Sequence, residues 1–288
     1  MIGYDALVDD VAAVRLASVG LVEVAGPDAL TFLQSLASQD LDGMTIGESR
    51  PSLLLEPQGK LVADFTISRV EDQTYWLRCE PDVAPLLTAG LARFKIRVKV
   101  DIIDRSAELE AIALRGPAAT SVVRPLPDGV VRIDTSRGQF AGVDLIGRPS
   151  ALDAIDLDGV AVADPDALEA ARIEARQPRQ PADIDERTIA QEAFLDESAV
   201  SFTKGCFVGQ ELVCRIDSRG HVNRTLRRIR FVASVPVGSE VEYQGKTVGT
   251  VTSSAVSPRS GPIALGTLRR ECPDGADVSA AGVAGTVG

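Results

Sequence analysis

The hydropathy pattern of the chain changes character at Asn223, and this change constrains the fold more than any other feature. From Asn223 to the C-terminus only short strand patterns follow: TLRRIRFV, SEVEYQ, KTVGTVTSSAVS and PIALGTLRR, with glycine turns between them and a small-residue tail. A run of this kind predicts a separate, compact β-barrel or sandwich. Before Asn223 strands and helices alternate, so the predicted class is α+β with an all-β C-terminal part. At 288 residues the chain exceeds the size one core usually serves, and two or three cooperating units are expected.

In the mixed part, residues 21–25 form a strand pattern, followed by Gly26-Pro27-Asp28 and the helical pattern ALTFLQSLAS. Proline at a first helical position and an early aspartate suit a helix start. The device recurs at residues 111–115 (AIALR), Gly116-Pro117 and AATSVV; either the body has two related α+β halves or a common turn occurs twice. Residues 52–80 read as an antiparallel meander, SLLLE, KLVADFTISRV and TYWLRC, broken by PQG and EDQ. Pro81 opens a helix with Val83, Leu86, Leu87 and Leu91 on one face. Strict alternation over residues 94–104 predicts a strand with Phe94, Ile96, Val98 and Val100 inward. Its other face, Lys95, Arg97 and Lys99, is either solvated surface or a wall facing an anion. A hairpin is expected around Ser136-Arg137-Gly138, and Asp164-Pro165 supplies an N-cap and first residue for the helix DALEAARIEA. Residues 177–196 read as an ordered irregular connection.

Several function classes are disfavoured. A net charge of -11 speaks against non-specific nucleic-acid or anionic-membrane binding, which needs a basic face, but leaves room for a local basic pocket. The acidic N-terminus lacks the basic region of a signal peptide, and no run of 18 apolar residues exists. Cysteines 79, 206, 214 and 272 form no CxxC pair, and with one histidine neither a disulfide framework nor a metal site is expected. No dinucleotide fingerprint or P-loop is present. A soluble, cytoplasmic, monomeric protein is the expectation.

The chemistry concentrates in residues 201–230, which hold two of the four cysteines, the only histidine and six arginines. At its centre is Lys204-Gly205-Cys206-Phe207-Val208-Gly209-Gln210-Glu211. Thiolate is the reactive form of cysteine and a neighbouring ammonium favours it, while flanking glycines let the backbone turn sharply or approach a ligand. Cys206 is therefore either a reactive thiol or a small buried hydrophobe. Cys214, in LVCRI, reads as a core residue of a strand, and His221 as an exposed loop residue. Glu174 lies between Arg172 and Arg176 on the predicted helix, a surface ion-pairing pattern. Arginines 215, 219, 224, 227, 228 and 230 form either scattered surface charge or the wall of a pocket for a carboxylate-bearing ligand.

KGCFVGQE resembles the K-G-C-[YF]-x-G-Q-E signature of the YgfZ family, folate-binding relatives of the glycine-cleavage T-protein. GPDALTFLQSLASQD, LLLEPQGKLVADFTI, RIEARQPRQPADIDERTIAQEA, RGHVNRTL and GPIALGTLRR resemble further family segments in the family's order. The resemblance implies a three-lobed, T-protein-like ring around a central hole that receives tetrahydrofolate. Residues 1–222 would form the folate-binding body, as two interleaved lobes of about 1–45 with 105–200, and 46–104, and residues 223–288 the C-terminal barrel. It makes Cys206 the functional thiol with Lys204 beside it, and Gly205, Gly209, Gln210 and Glu211 its shaping neighbours. It assigns the pterin to Glu174, whose carboxylate type can accept two parallel N–H bonds. Asp64 and Arg215 complete the expected cofactor contacts. Where T-protein carries two consecutive hairpin acids, one of them catalytic, this chain has Ala63-Asp64, and RIEARQP lacks the glycine usual after EA.

The resemblance thus implies an auxiliary factor of iron–sulfur cluster assembly or repair, supporting cluster-dependent tRNA-modifying enzymes. Its partners would be folate and iron–sulfur client or assembly proteins. The alternatives are a folate-dependent aminomethyltransferase or demethylase, against which the missing acid weighs, and a partner-binding module without chemistry.

Overall fold

Two five-stranded sheets and a closed six-stranded barrel carry the structure, a computed structural model that describes residues 1–288 except Gln139 and the side chain of Arg219. The first sheet has the order Ala161–Val162, Ala12–Leu16, Glu110–Arg115, Gly142–Gly147, Val131–Asp134. The second has the order Ser49–Leu55, Leu61–Glu71, Thr74–Cys79, Gly20–Ala25, Asp101–Asp104, antiparallel throughout. Arg224–Phe231, Gly261–Arg269, Lys246–Ser257, Glu240–Tyr243, Asp277–Ala280 and Val283–Val287 close into the barrel, which leaves no free strand edge. No helix among the described residues is long and apolar enough to cross a membrane.

The strand Gly20–Ala25 pairs with Thr74–Cys79 and Asp101–Asp104. Sheet membership therefore changes between residues 16 and 20, earlier than the lobe break expected near residue 45. The helix Ala29–Leu36 follows the first glycine–proline turn and buries Ala29, Phe32, Leu33 and Leu36 on the second sheet. After the second such turn only one 3-10 turn forms, Ala119–Ser121. Pro125 and Pro127 follow closely, and a residue before proline is steered away from helix.

The helix Pro165–Glu174 starts where Asp164 Oδ1 accepts from Ala167 N at 2.7 Å. It buries Ala167, Ala170, Ala171 and Ile173, and the three alanines bring its axis close to the barrel strand Lys246–Ser257. A buried charge network joins the two sheets. Asp144 of the first sheet takes Arg115 Nη2 at 2.7 Å from its own sheet and Arg78 Nε at 2.6 Å from the second.

Three local readings change. The alternating stretch 94–104 is a strand only at Asp101–Asp104. Phe94 N and Lys95 N still bond to Leu91 O and Ala92 O, Arg97 adopts φ 59°, and Ile96 is 72% exposed. The chain leaves the helix Ala84–Ala92 through turns, and residues 94–100 pair with no strand among the described residues. On that helix Leu86 is exposed while Val83, Leu87 and Leu91 are buried. Cys214 lies half-buried on a helix, Gln210–Arg219, because Leu212, Val213 and Ile216 follow a helical spacing.

Candidate functional site

A cavity of about 500 Å³ opens between the two sheets, the helix Pro165–Glu174 and the segment 177–180. Its best-defined polar group is Asp64. Along Leu61–Glu71 the residues Leu61, Ala63 and Phe65 are buried in the core, so alternation turns Asp64 and Thr66 to the other face, where both line the cavity. At residues 62–64 the strand has no strand partner on one side among the described residues, since pairing with Thr74–Cys79 begins at Thr66. Gln180 substitutes for that partner: its Nε2 donates to Val62 O at 3.0 Å and its Oε1 accepts from Asp64 N at 2.9 Å.

Arg137 Nη1 donates to Asp64 Oδ1 at 2.5 Å and its Nη2 to Phe65 O at 3.0 Å. Burial pushes the Asp64 carboxyl above its ordinary value, with Arg137 pulling the other way. Its Oδ2 has no hydrogen-bond partner among the described residues. Thr135 also lines the cavity, and its buried Oγ1 has no hydrogen-bond partner among the described residues. Phe140 brings a ring to the same space. The guanidinium groups in the wall are compensated: Arg78 and Arg115 by Asp144, Arg172 by Glu169 and Asp183, Arg179 by Glu169. Among the described residues, the polar groups open to a ligand thus include an Asp64 carboxylate oxygen and the Thr135 hydroxyl, beside an aromatic face.

Cys206 lies elsewhere. It is exposed, in a groove of about 250 Å³ beside the helix Ala29–Leu36. Lys204 does not present a free ammonium to it. Nζ donates to Gln34 O (2.8 Å), Ala37 O (2.7 Å) and Gln39 O (2.9 Å), the carbonyls at and beyond the end of that helix. Burial lowers the Lys204 pKa to about 8, so at neutral pH it still carries the charge that suits a helix C-terminus. The residue expected to activate the thiol instead fastens its loop.

The other residues expected at the cofactor separate as well. Gly205 has no heavy atom within 4 Å of where a side chain would start. Gly209, at φ 83°, packs against the hairpin tip, where a Cβ would stand 2.6 Å from Glu56 O. Phe207 N donates to Gln210 Oε1, at 3.3 Å, which tightens the start of the helix Gln210–Arg219, and Glu211 and Arg215 are exposed on that helix. Phe207 is buried with Leu55, Leu61, Val213 and the barrel residues Leu226 and Leu265. The signature run thus anchors the body to the barrel, and of Lys204, Gly205, Cys206, Gly209, Gln210, Glu211 and Arg215 none lines the central cavity.

Glu174 does not line it either. Its carboxylate accepts from Tyr4 Oη and Ser257 Oγ, and these bonds hold its pKa below the usual range against the effect of burial. It is not ion-paired to Arg172, which turns to Glu169 and Asp183. The basic segment does not converge on one pocket: Arg224 pairs with Glu192, Arg227 with Asp274, and Arg228 donates to Glu174 O at 3.0 Å. The side chain of Arg219 lies outside the described residues. Thr135, Arg137, Phe140 and Gln180 were not anticipated at the site. The hairpin turn was the available signal for the first three.

Comparison with known proteins agrees with this architecture. Residues 4–144 match the family model described as the GCVT N-terminal domain. An aminomethyltransferase of Symbiobacterium thermophilum is 27% identical, over 88% of this chain and 79% of its own. A Mycosarcoma maydis protein named iron-sulfur cluster assembly factor IBA57 homolog, mitochondrial, is 27% identical, over 85% of this chain and 68% of its own. The crystal structure of glycine cleavage system aminomethyltransferase T from Bartonella henselae superposes with a TM-score of 0.81, at 21% identity, over 99% of this chain and 86% of that one. The fold is that of T-protein, and residues 4–144 are similar to the GCVT N-terminal domain.

Proposed function

We propose that this protein is a tetrahydrofolate-binding auxiliary factor in iron–sulfur cluster assembly or repair, of the YgfZ type, with Cys206 as the thiol offered to a partner. The observation that carries this reading is the separation of the two functional groups: the ligand cavity is central, whereas Cys206 is exposed in a groove of its own. A thiol meant for the cavity's ligand belongs in its wall. A thiol meant for another protein, cluster or sulfur carrier belongs on the surface. The relative named as an iron–sulfur cluster assembly factor supports the same reading.

The residues present fit a folate. A volume of about 500 Å³ is within the range of small-molecule sites. Asp64 would accept from the N–H edge of the pterin, Thr135 would satisfy its unpartnered hydroxyl on a ring heteroatom, and Phe140 would offer a stacking face. A reduced folate supplies a one-carbon carrier. Arg137 holds the Asp64 carboxylate in place and Gln180 fixes the strand beneath it. On this reading the protein works as a cytoplasmic monomer with folate and cluster-handling proteins, not with nucleic acid.

Aminomethyl transfer is the second reading, favoured by the position of Asp64. Ala63 is fully buried in the core, so Asp64 is the one of the pair that faces the ligand space. The two readings part at Cys206. In a strain lacking this protein, the Cys206→Ala variant is expected to be present and folded yet to leave cluster-dependent enzymes inactive. Full rescue by that variant would remove Cys206 from the account and favour aminomethyl transfer.

A further inference from the structure

A second cavity, of about 430 Å³, lies between the outer face of the barrel and the segment 181–193. It shares no lining residue with the central one. The two stand back to back across one ion pair: Arg172 lines the first, Asp183 the second, and Nη1 meets Oδ2 at 2.7 Å.

Three adjacent barrel strands build one wall. Leu226 faces Thr267, Thr267 faces Thr250, and Arg224 faces Arg269 in register. Arg270 N donates to Asn223 O at 3.0 Å, which makes Arg224 and Arg269 the neighbouring non-hydrogen-bonded pair, the kind whose side chains lie closer together. Like charges directly opposite destabilise a sheet. Glu192 compensates Arg224 at 2.9 Å, but Arg269 has no acidic partner among the described residues.

The acids of the cavity are already engaged. Asp183 accepts from Arg172, Thr252 and Ser253, Asp185 from Arg187, and Glu192 from Arg224 and Ile189 N. What remains unengaged among the described residues is the Arg269 guanidinium and the hydroxyls of Thr250 and Thr267. Beneath them lie Leu226, Val248 and Ile184, each 2% exposed. Cationic donors over an apolar floor complement an anion with a small organic body.

We propose that this cleft binds a compact organic polyanion, a small molecule bearing phosphate or carboxylate groups. Arg269 holds the charged end, Thr250 and Thr267 donate to it, and Leu226 and Val248 receive the body. Guanidinium suits both anion types because its planar fork matches two oxygens at once.

Calorimetric titration with pyrophosphate and with citrate, in low salt, separates the two chemistries. At least one probe is expected to bind with a stoichiometry near one. Its affinity should fall at least tenfold, about 1.4 kcal/mol, in Arg269→Gln and also fall in Thr267→Val, and stay unchanged in Asp64→Asn, whose cavity is the other one. Arg269 is exposed and faces Arg224, so its replacement should leave the melting temperature of the full chain in place or raise it slightly. Binding of neither probe, or equal binding by wild type and Arg269→Gln, would overturn the proposal. Tetrahydrofolate binding is read separately and does not depend on either result.

Discussion

Four thiols in one chain meet very different surroundings, and surroundings decide their chemistry. Cys79 and Cys272 are buried, Cys214 is half-buried and Cys206 is exposed. Burial pushes the Cys79 thiol up to about 12, because a thiolate there would lose its water, so it stays protonated at any physiological pH. Iodoacetamide at neutral pH should therefore modify Cys206 at least tenfold faster than Cys79 or Cys272, read by peptide mass mapping. Equal rates would contradict the exposure on which the partner-thiol reading rests. The type of residue was legible in the sequence here, but not its company. Lys204 stands two places from Cys206, and adjacency suggested activation; yet a lysine side chain is long enough to reach another element, and this one reaches Gln34, Ala37 and Gln39.

At the level of elements, the loop bearing Cys206 is held by the end of one helix and the tip of one hairpin. Lys204 closes the C-terminal carbonyls of Ala29–Leu36, and Gly209 fits against Glu56 and Gly59 where no Cβ has room. Lys204→Met keeps the apolar stem but strands those carbonyls. It is expected to destabilise the protein by about 1–3 kcal/mol, seen as a lower urea midpoint with an unchanged slope. A midpoint equal to wild type would show that the bonds to the helix contribute nothing. Periodicity located elements well where side chains face one core, as in the meander Ser49–Cys79 and the capped helix Pro165–Glu174. It misled at residues 94–100, where Phe94 and Val98 pack inward from a loop that pairs with no strand among the described residues. It also misled at Cys214, where five residues of LVCRI suit a strand or a helix and only the neighbours decide.

Over the whole molecule, charged side chains join what the sheets separate. Asp144 is fully buried between Arg78 and Arg115 and ties the two sheets beside the central cavity. Burial alone would raise its pKa, but the two guanidinium groups hold it below the ordinary 3.8. Its contribution to stability is thus present above the unfolded-chain value and is lost as pH falls through the lower folded one. Asp144→Ala leaves Arg115 without an acidic partner and Arg78 with Glu80 alone, and should cost about 3–5 kcal/mol at pH 7. The deficit should shrink when unfolding is measured below pH 3.8; a deficit independent of pH would contradict the network. The cavity itself was legible only in part. Asp64 could be singled out, but Arg137 lies 73 residues away from it and Gln180 116, and no local pattern reports contacts of that range.

The central claim is that this cavity, organised by Asp64, is the folate site. Calorimetric titration of tetrahydrofolate into wild type, Asp64→Asn and Glu174→Gln tests it most directly. Wild type should bind with a stoichiometry near one. Asp64→Asn should bind at least tenfold more weakly, since a carboxylate accepts from the pterin edge where an amide offers a competing donor, a difference of about 1.4 kcal/mol or more. Glu174→Gln should retain binding, because that carboxylate is engaged by Tyr4 and Ser257 away from the cavity. No binding to wild type, or undiminished binding to Asp64→Asn, would contradict the claim.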